Sequence, residues 1–202
     1  MIDLNIKELN PPYFIHSDIF LVRDIFNKET QKFKNIVEYL ELNKNLIYEL
    51  FADDFIFPSY NYDFGKTRIF DMDNDISQVG ALSEYIRKDR KIIRSAVPFF
   101  SILSTKEFIK REQEVYPFGP KSIFDTLYKK KGTIIHYGCN FKDGLTFIHY
   151  IEQMNKTPVY RYEKVFNGEI KSQQKYYKCK IEMHVRPMNL GIDYDWEKII
   201  SE

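Results

Sequence analysis

The apolar run Thr133-Ile-Ile-His-Tyr-Gly138 is followed closely by Gly144-Leu-Thr-Phe-Ile-His149-Tyr-Ile-Glu152. The pair reads as a buried strand, a short loop and a helix. With about 3.6 residues per turn, positions three apart share a helix face, so Thr146, His149 and Glu152 fall near one another on the first turns. Open α/β sheets place their ligand crevices beyond the carboxyl ends of strands, which is where this histidine falls. Histidine accepts a proton near neutral pH, so the position suits acid–base chemistry. The spacing alone describes equally well a pair of polar residues that supports its own helix.

The rest of the chain alternates in the same manner. Tyr13 to Val22 reads as a short strand, a polar break at His16 to Asp18, and further apolar chain. From Lys28 to Phe51 apolar residues recur at a helical period, with a break at Asn43-Lys44-Asn45. A second strand is expected over Asp54–Tyr60, stopped by Pro58, and a helix N-capped by Ser77 through Val79, Leu82, Tyr85 and Ile86. Further strands are expected at Phe99–Ser104 and Thr133–Gly138, separated by a helix from about Ser122 to Lys131. Val159–Phe166 and Lys175–Val185 alternate around Asn167-Gly168, which predicts an antiparallel hairpin appended to the main sheet. The fold class is therefore α/β: a central mixed sheet covered by helices, with a C-terminal antiparallel hairpin. No repeat or linker divides residues 1–202, which are expected to form one domain.

Charge excludes one class of partner. The formal net charge is +1 and the densest basic run, Lys129-Lys130-Lys131, suits a helix C-terminus, so no nucleic-acid footprint is present. No apolar run approaches the roughly 20 residues needed to cross a bilayer, and the N-terminal residues lack the pattern of a signal peptide. A cytoplasmic location is expected. Cys139 and Cys179 lie far apart without metal-ligand spacing, and no metal site is expected. His136 and His184 fall inside strand-like segments and are expected to be structural. The 15 Tyr and 17 Phe carry no functional signal by themselves.

Several segments together resemble the aminoglycoside 3-N-acetyltransferase family. Phe14-Ile-His16-Ser17-Asp18-Ile resembles its Val-His-Ser-Ser-Leu strand, and Phe57-Pro58-Ser59-Tyr60-Asn-Tyr62-Asp-Phe64 its Pro-Thr-Phe-Thr-x-x-Phe segment. Val79-Gly80-Ala-Leu-Ser83-Glu84-Tyr-Ile-Arg87 is similar to Met-Gly-x-x-Ser-Glu-x-Phe-Arg, and Phe118-Gly119-Pro-Lys-Ser122 to Phe-Gly-x-x-Ser. Arg94-Ser95 matches the family's Arg-Ser, and Thr146-x-x-His149-x-x-Glu152 its Thr-x-x-His-x-x-Glu. The resemblance covers roughly residues 13 to 153 and says little about residues 154 to 202. One departure bears on the substrate. Where the family often has Arg-Ser-x-His-Pro-x-His-Ser, this chain has Arg94-Ser95-Ala96-Val97-Pro98-Phe99-Phe100-Ser101, with both histidines replaced by apolar residues.

The resemblance implies acetyl transfer from acetyl-CoA to an amine in a ternary complex. By that resemblance His149 is the base that takes the amine proton. Glu84 is nominated as the carboxylate that orients it, with Glu152 as the nearby alternative. His16, Ser17 and Thr146 are implied to line the pantetheine and thioester, and Gly119 and Ser122 to form a phosphate-attracting helix start. Cys139 is the rival nucleophile, through a Cys139–His149 pair. The expected function is N-acetylation of an amino sugar, or of a sugar nucleotide destined for a surface polysaccharide. The alternatives are an aminoglycoside 3-N-acetyltransferase in the strict sense and a non-catalytic relative that binds a sugar or a partner through the old cleft.

Overall fold

The computed structural model describes residues 8–22, 35–110, 112, 114–187, 191 and 194–201. Five strands build the larger sheet: β1 (Tyr13–Ser17), β2 (Phe55–Pro58), β4 (Ile93–Arg94), β5 (Ile102–Ser104) and β7 (Thr133–Tyr137), in the order β4-β5-β2-β1-β7. Here β1 runs parallel to both β2 and β7, while β5 is antiparallel to β2 and β4. The sheet is mixed, as the sequence predicts.

Side-chain alternation along β1 and β2 divides the core into two layers. Tyr13, Ile15, Phe55 and Phe57 face one way, where helices α1 (Ile36–Phe51) and α3 (Ala81–Arg87) bring Tyr39, Leu40, Ile47, Leu82 and Ile86. Phe14 and Ile56 face the other way, into a cluster with Phe64, Phe70, Phe124, Phe166 and Ile181. Phe14, Phe55, Phe57, Phe64, Phe70 and Phe124 are fully buried. Each gains about 1.5–3 kcal/mol over exposure, so the phenylalanines serve as core.

The C-terminal third departs from the expected hairpin in two ways. Strand β8 (Tyr162–Ser172) runs straight through Asn167-Gly168, and the chain reverses at Gln173 and Gln174, both with positive φ, before β9 (Lys175–Val185). Gly168 is needed for a close approach instead of a turn: a Cβ there would lie 2.3 Å from the Arg68 carbonyl oxygen and 2.6 Å from Phe64 Cζ. The pair also does not extend the main sheet. With β3 (Ile69–Asp71) and β6 (Glu114–Val115) it forms a second sheet in the order β3-β8-β9-β6, whose Phe166, Ile170, Cys179 and Ile181 cover the Phe14 side of the first.

Helix α1 is also longer than its sequence pattern suggests, passing through Asn43-Lys44-Asn45 without a break. Asn43 is fully buried, donates to the Tyr39 carbonyl at 2.7 Å and accepts from the Tyr137 hydroxyl, so its polar group is satisfied inside the core. The expected start of this helix at residues 28–34 lies outside the described residues. Ser77 is not the cap of α3. Gly80 holds that position with φ 112°, while Ser77 bonds the Ser83 hydroxyl at 3.0 Å. The remaining elements are a helical turn α2 (Phe64–Thr67), helix α4 (Ile123–Lys130), helix α5 (Ile148–Asn155) and a terminal helix α6 (Trp196–Ser201).

Candidate active site

The chain leaves β7, turns through a 3-10 segment at Phe141–Gly144 and enters α5 at Ile148. Gly144 lets this turn press onto two histidines: a Cβ there would sit 2.5 Å from His136 Nδ1 and 3.1 Å from His16 Cβ. Thr146 precedes the helix, and its carbonyl accepts from the His149 N–H at 3.1 Å. His149 and Glu152 then share one face of α5.

These two meet directly. His149 Nδ1 lies 3.1 Å from Glu152 Oε2, with the imidazole about a third exposed and the carboxylate buried. Arg161 Nη2 reaches the same Oε2 at 2.9 Å, and the Tyr194 hydroxyl donates to Oε1 at 2.9 Å. Arg161 also donates to the Tyr194 oxygen at 2.8 Å and to the His184 carbonyl at 3.2 Å. Burial alone would raise the Glu152 pKa, but the bonds from His149 and Tyr194 and the Arg161 charge outweigh it and hold it below the usual value. Three groups surround Nδ1: the Glu152 carboxylate at 3.1 Å, the Tyr194 hydroxyl at 3.4 Å and Arg161 Nη2 at 3.5 Å. An ionised carboxylate only accepts hydrogen bonds, so the shortest of these contacts favours a proton on Nδ1. Nε2 is left with a lone pair, the form a base requires.

Phe118 packs edge-on against His149, with ring centroids 5.2 Å apart. From there rings follow one another through Phe124 and Phe14 to His16, each step 5.0–5.3 Å. His16 is thus joined to His149 by a wall of aromatic side chains. Burial, aided by neighbouring His136, pushes the His16 pKa down to about 4, and its Nε2 has no hydrogen-bond partner among the described residues. Phe100 meets Phe118 edge to face, with centroids 4.5 Å apart, and borders a cavity of about 640 Å³ lined also by Val97, Val115, Tyr116, Ser122 and Ile123.

The profile of the aminoglycoside 3-N-acetyltransferase family matches residues 58–200. The chain belongs to this family. It is by that membership an acetyltransferase. Among solved structures it is similar to AAC-IIIb in binary complex with CoASH (TM-score 0.69, 14% identity, 96% of this chain and 77% of that one). It is also similar to aminoglycoside acetyltransferase AAC(3)-Xa (0.66, 15%, 96% and 72%) and to YokD protein from Bacillus subtilis (0.64, 14%, 91% and 79%). At such identities these likenesses establish the fold. No curated protein matches by sequence.

Other nominated residues of this acetyltransferase lie apart from the His149–Glu152 pair or are already engaged. The Glu84 carboxylate takes the Ser77 N–H at 2.8 Å and grips Arg87 through Nε at 2.7 Å and Nη2 at 2.8 Å. It secures the start of α3, and none of its bonds among the described residues runs to His149; the carboxylate that meets the imidazole is Glu152. At the start of α4, Ser122 accepts from the Asp125 N–H at 3.1 Å and Asp125 accepts from the Lys121 N–H at 2.9 Å. Two donors that would attract a phosphate are therefore satisfied internally. Gly119 is buried against Tyr116 and Gln153, and the Ser17 carbonyl faces Gly80. Cys139 Sγ lies 3.6 Å from His136 Nδ1 instead of His149, and burial pushes its thiol up to about 11.

Arg161 and Tyr194 carried no signal in the sequence. Both belong to the stretch on which the family resemblance was silent, and neither stands at a fixed spacing from His149.

Proposed function

We propose that this acetyltransferase moves an acetyl group from acetyl-CoA to an amine of an aminoglycoside-type amino sugar, with His149 Nε2 accepting the amine proton. The observation that carries the reading is the His149–Glu152 contact, which leaves a partly exposed imidazole with its lone pair on the outer nitrogen. A protonated sugar amine is not a nucleophile, so a neutral imidazole contributes about 10²–10⁴ in rate by taking the proton as the nitrogen attacks. Glu152 holds the ring and balances the imidazolium.

His16 Nε2, which has no partner among the described residues, supports a donor site, since a buried imidazole nitrogen without a bond suits an amide or carbonyl oxygen. Acetyl-CoA supplies an activated carbonyl there: its C–S bond breaks as the C–N bond forms, and the thiolate leaves with the proton that His149 received. Phe118, edge-on to the imidazole, walls the base on one side, and Thr146, three residues ahead of it, is assigned to the thioester pocket by the family pattern alone. Family membership favours an aminoglycoside acceptor over the sugar nucleotide of a polysaccharide pathway that the altered Val97 and Phe100 first suggested.

Thiol release from acetyl-CoA, followed with a panel of aminoglycosides and an aminodeoxy sugar nucleotide, tests this. Release is expected to depend on the aminoglycoside and on His149. Release with the sugar nucleotide alone would overturn the acceptor assignment, and none with any amine would overturn the reading as a whole.

A further inference from the structure

We infer that Arg161 and Tyr194 are positioning residues that keep Glu152 an acceptor-only carboxylate and thereby fix the tautomer of His149. This rests on the reading of His149 as the base. Glu152 is buried, and a buried carboxylate without a cation tends to take up a proton. A protonated Glu152 could donate to Nδ1, which would move the ring proton to Nε2 and remove the lone pair that accepts the amine proton. Arg161 opposes this with its charge 2.9 Å from Oε2, and Tyr194 with a hydrogen bond to Oε1.

Among the described residues, three charged or titratable groups bond the carboxylate. His149 comes from its own helix α5, Arg161 from the entrance to β8 and Tyr194 from the segment ahead of α6. From β9 the His184 backbone carbonyl anchors Arg161. The Arg161 side chain is itself buried, at 6% exposure, so its charge is poorly screened. Tyr194 lies between the two, accepting from Arg161 and donating to Glu152.

The test compares pH–rate profiles of thiol release, and ring ¹⁵N shifts of His149, in the wild type and in R161M, R161K, Y194F and E152Q. R161M should lose about tenfold or more near pH 7 and recover toward the wild type near pH 9, as Glu152 ionises at a raised pKa. Its ring should report an Nε2–H form at neutral pH. R161K should keep the wild-type profile, and Y194F should shift it in the same direction by less. E152Q should stay impaired at every pH, because an amide cannot ionise. A uniform loss across pH in R161M, with Nδ1–H retained, would overturn the inference while leaving His149 as the base. If R161M does not fold, a Y194F ring unchanged in tautomer and profile overturns it instead. Full activity in H149A would remove the base assignment itself.

Discussion

Glu84 and Arg87 clasp each other one helical turn apart, through Oε2–Nε at 2.7 Å and Oε1–Nη2 at 2.8 Å. Burial would raise the Glu84 pKa, but Arg87 and the Ser77 N–H hold it down, to about 2. A carboxyl with a depressed folded pKa stabilises the protein above its unfolded pKa, and that contribution is lost as pH falls toward the folded value. Glu84→Gln should therefore lower stability at pH 7, by about 1 kcal/mol for a partly exposed pair with a backbone bond. The deficit should shrink between about pH 4.5 and pH 2, measured by urea unfolding at several pH values. Turnover at saturating substrates should stay within about threefold of wild type, well below a base's share of the rate. A loss of two orders of magnitude would return Glu84 to the active site.

His149→Ala is expected to cut turnover by about 10²–10⁴ with little change in the thermal midpoint. Glu152→Gln should also lose turnover. Because both serve one proton transfer, the double variant should fall only slightly below His149→Ala. Multiplied losses would mean that the two act separately.

Cys139→Ser should retain most of its activity. The thiol, raised to about 11 by burial, holds almost no thiolate at neutral pH. Alkylation by iodoacetamide should be slow at pH 7 and accelerate toward pH 10, followed by mass spectrometry. Inactivation of C139S would make the thiol the nucleophile.

Gly168→Ala should destabilise the protein by about 1–3 kcal/mol, since the new methyl meets the Arg68 carbonyl and the Phe64 ring at less than van der Waals distance. Differential scanning calorimetry would show a fall of several degrees. An unchanged midpoint would mean that β8 readily moves away from Phe64.

The same glycine explains where the sequence misleads. Asn-Gly is the strongest short hairpin signal, yet here close packing places the glycine and the reversal occurs six residues later at Gln173-Gln174. Strands β1, β2, β5 and β7 of the main sheet were legible as short apolar runs bounded by polar or proline-containing chain, whereas β4, two residues long, has no pattern of its own. Helix α4 was legible to within a residue from Ser122 and its terminal lysines. Ser77 misled because its hydroxyl bonds inward to Ser83. At the site, spacing brings His149 and Glu152 near one another on one helix, but it did not choose Glu152 over Glu84, which the family pattern nominated first; the 3.1 Å contact does. Arg161 lies in the alternating run Val159–Phe166, whose pattern marks a strand but no partner, and Tyr194 in a segment without periodicity; only the tertiary fold brings them to Glu152.

The bond between Glu152 and Tyr194 spans 42 positions of chain. At synthesis rates of about 5–20 residues per second, α5 exists for roughly two to eight seconds before Tyr194 has been made. During that interval Glu152 lacks one of its donors, and β9, which anchors Arg161, is still being added. The carboxylate that orients the base is therefore completed by one of the last residues to be made, and in the nascent chain it is held less firmly than in the finished one.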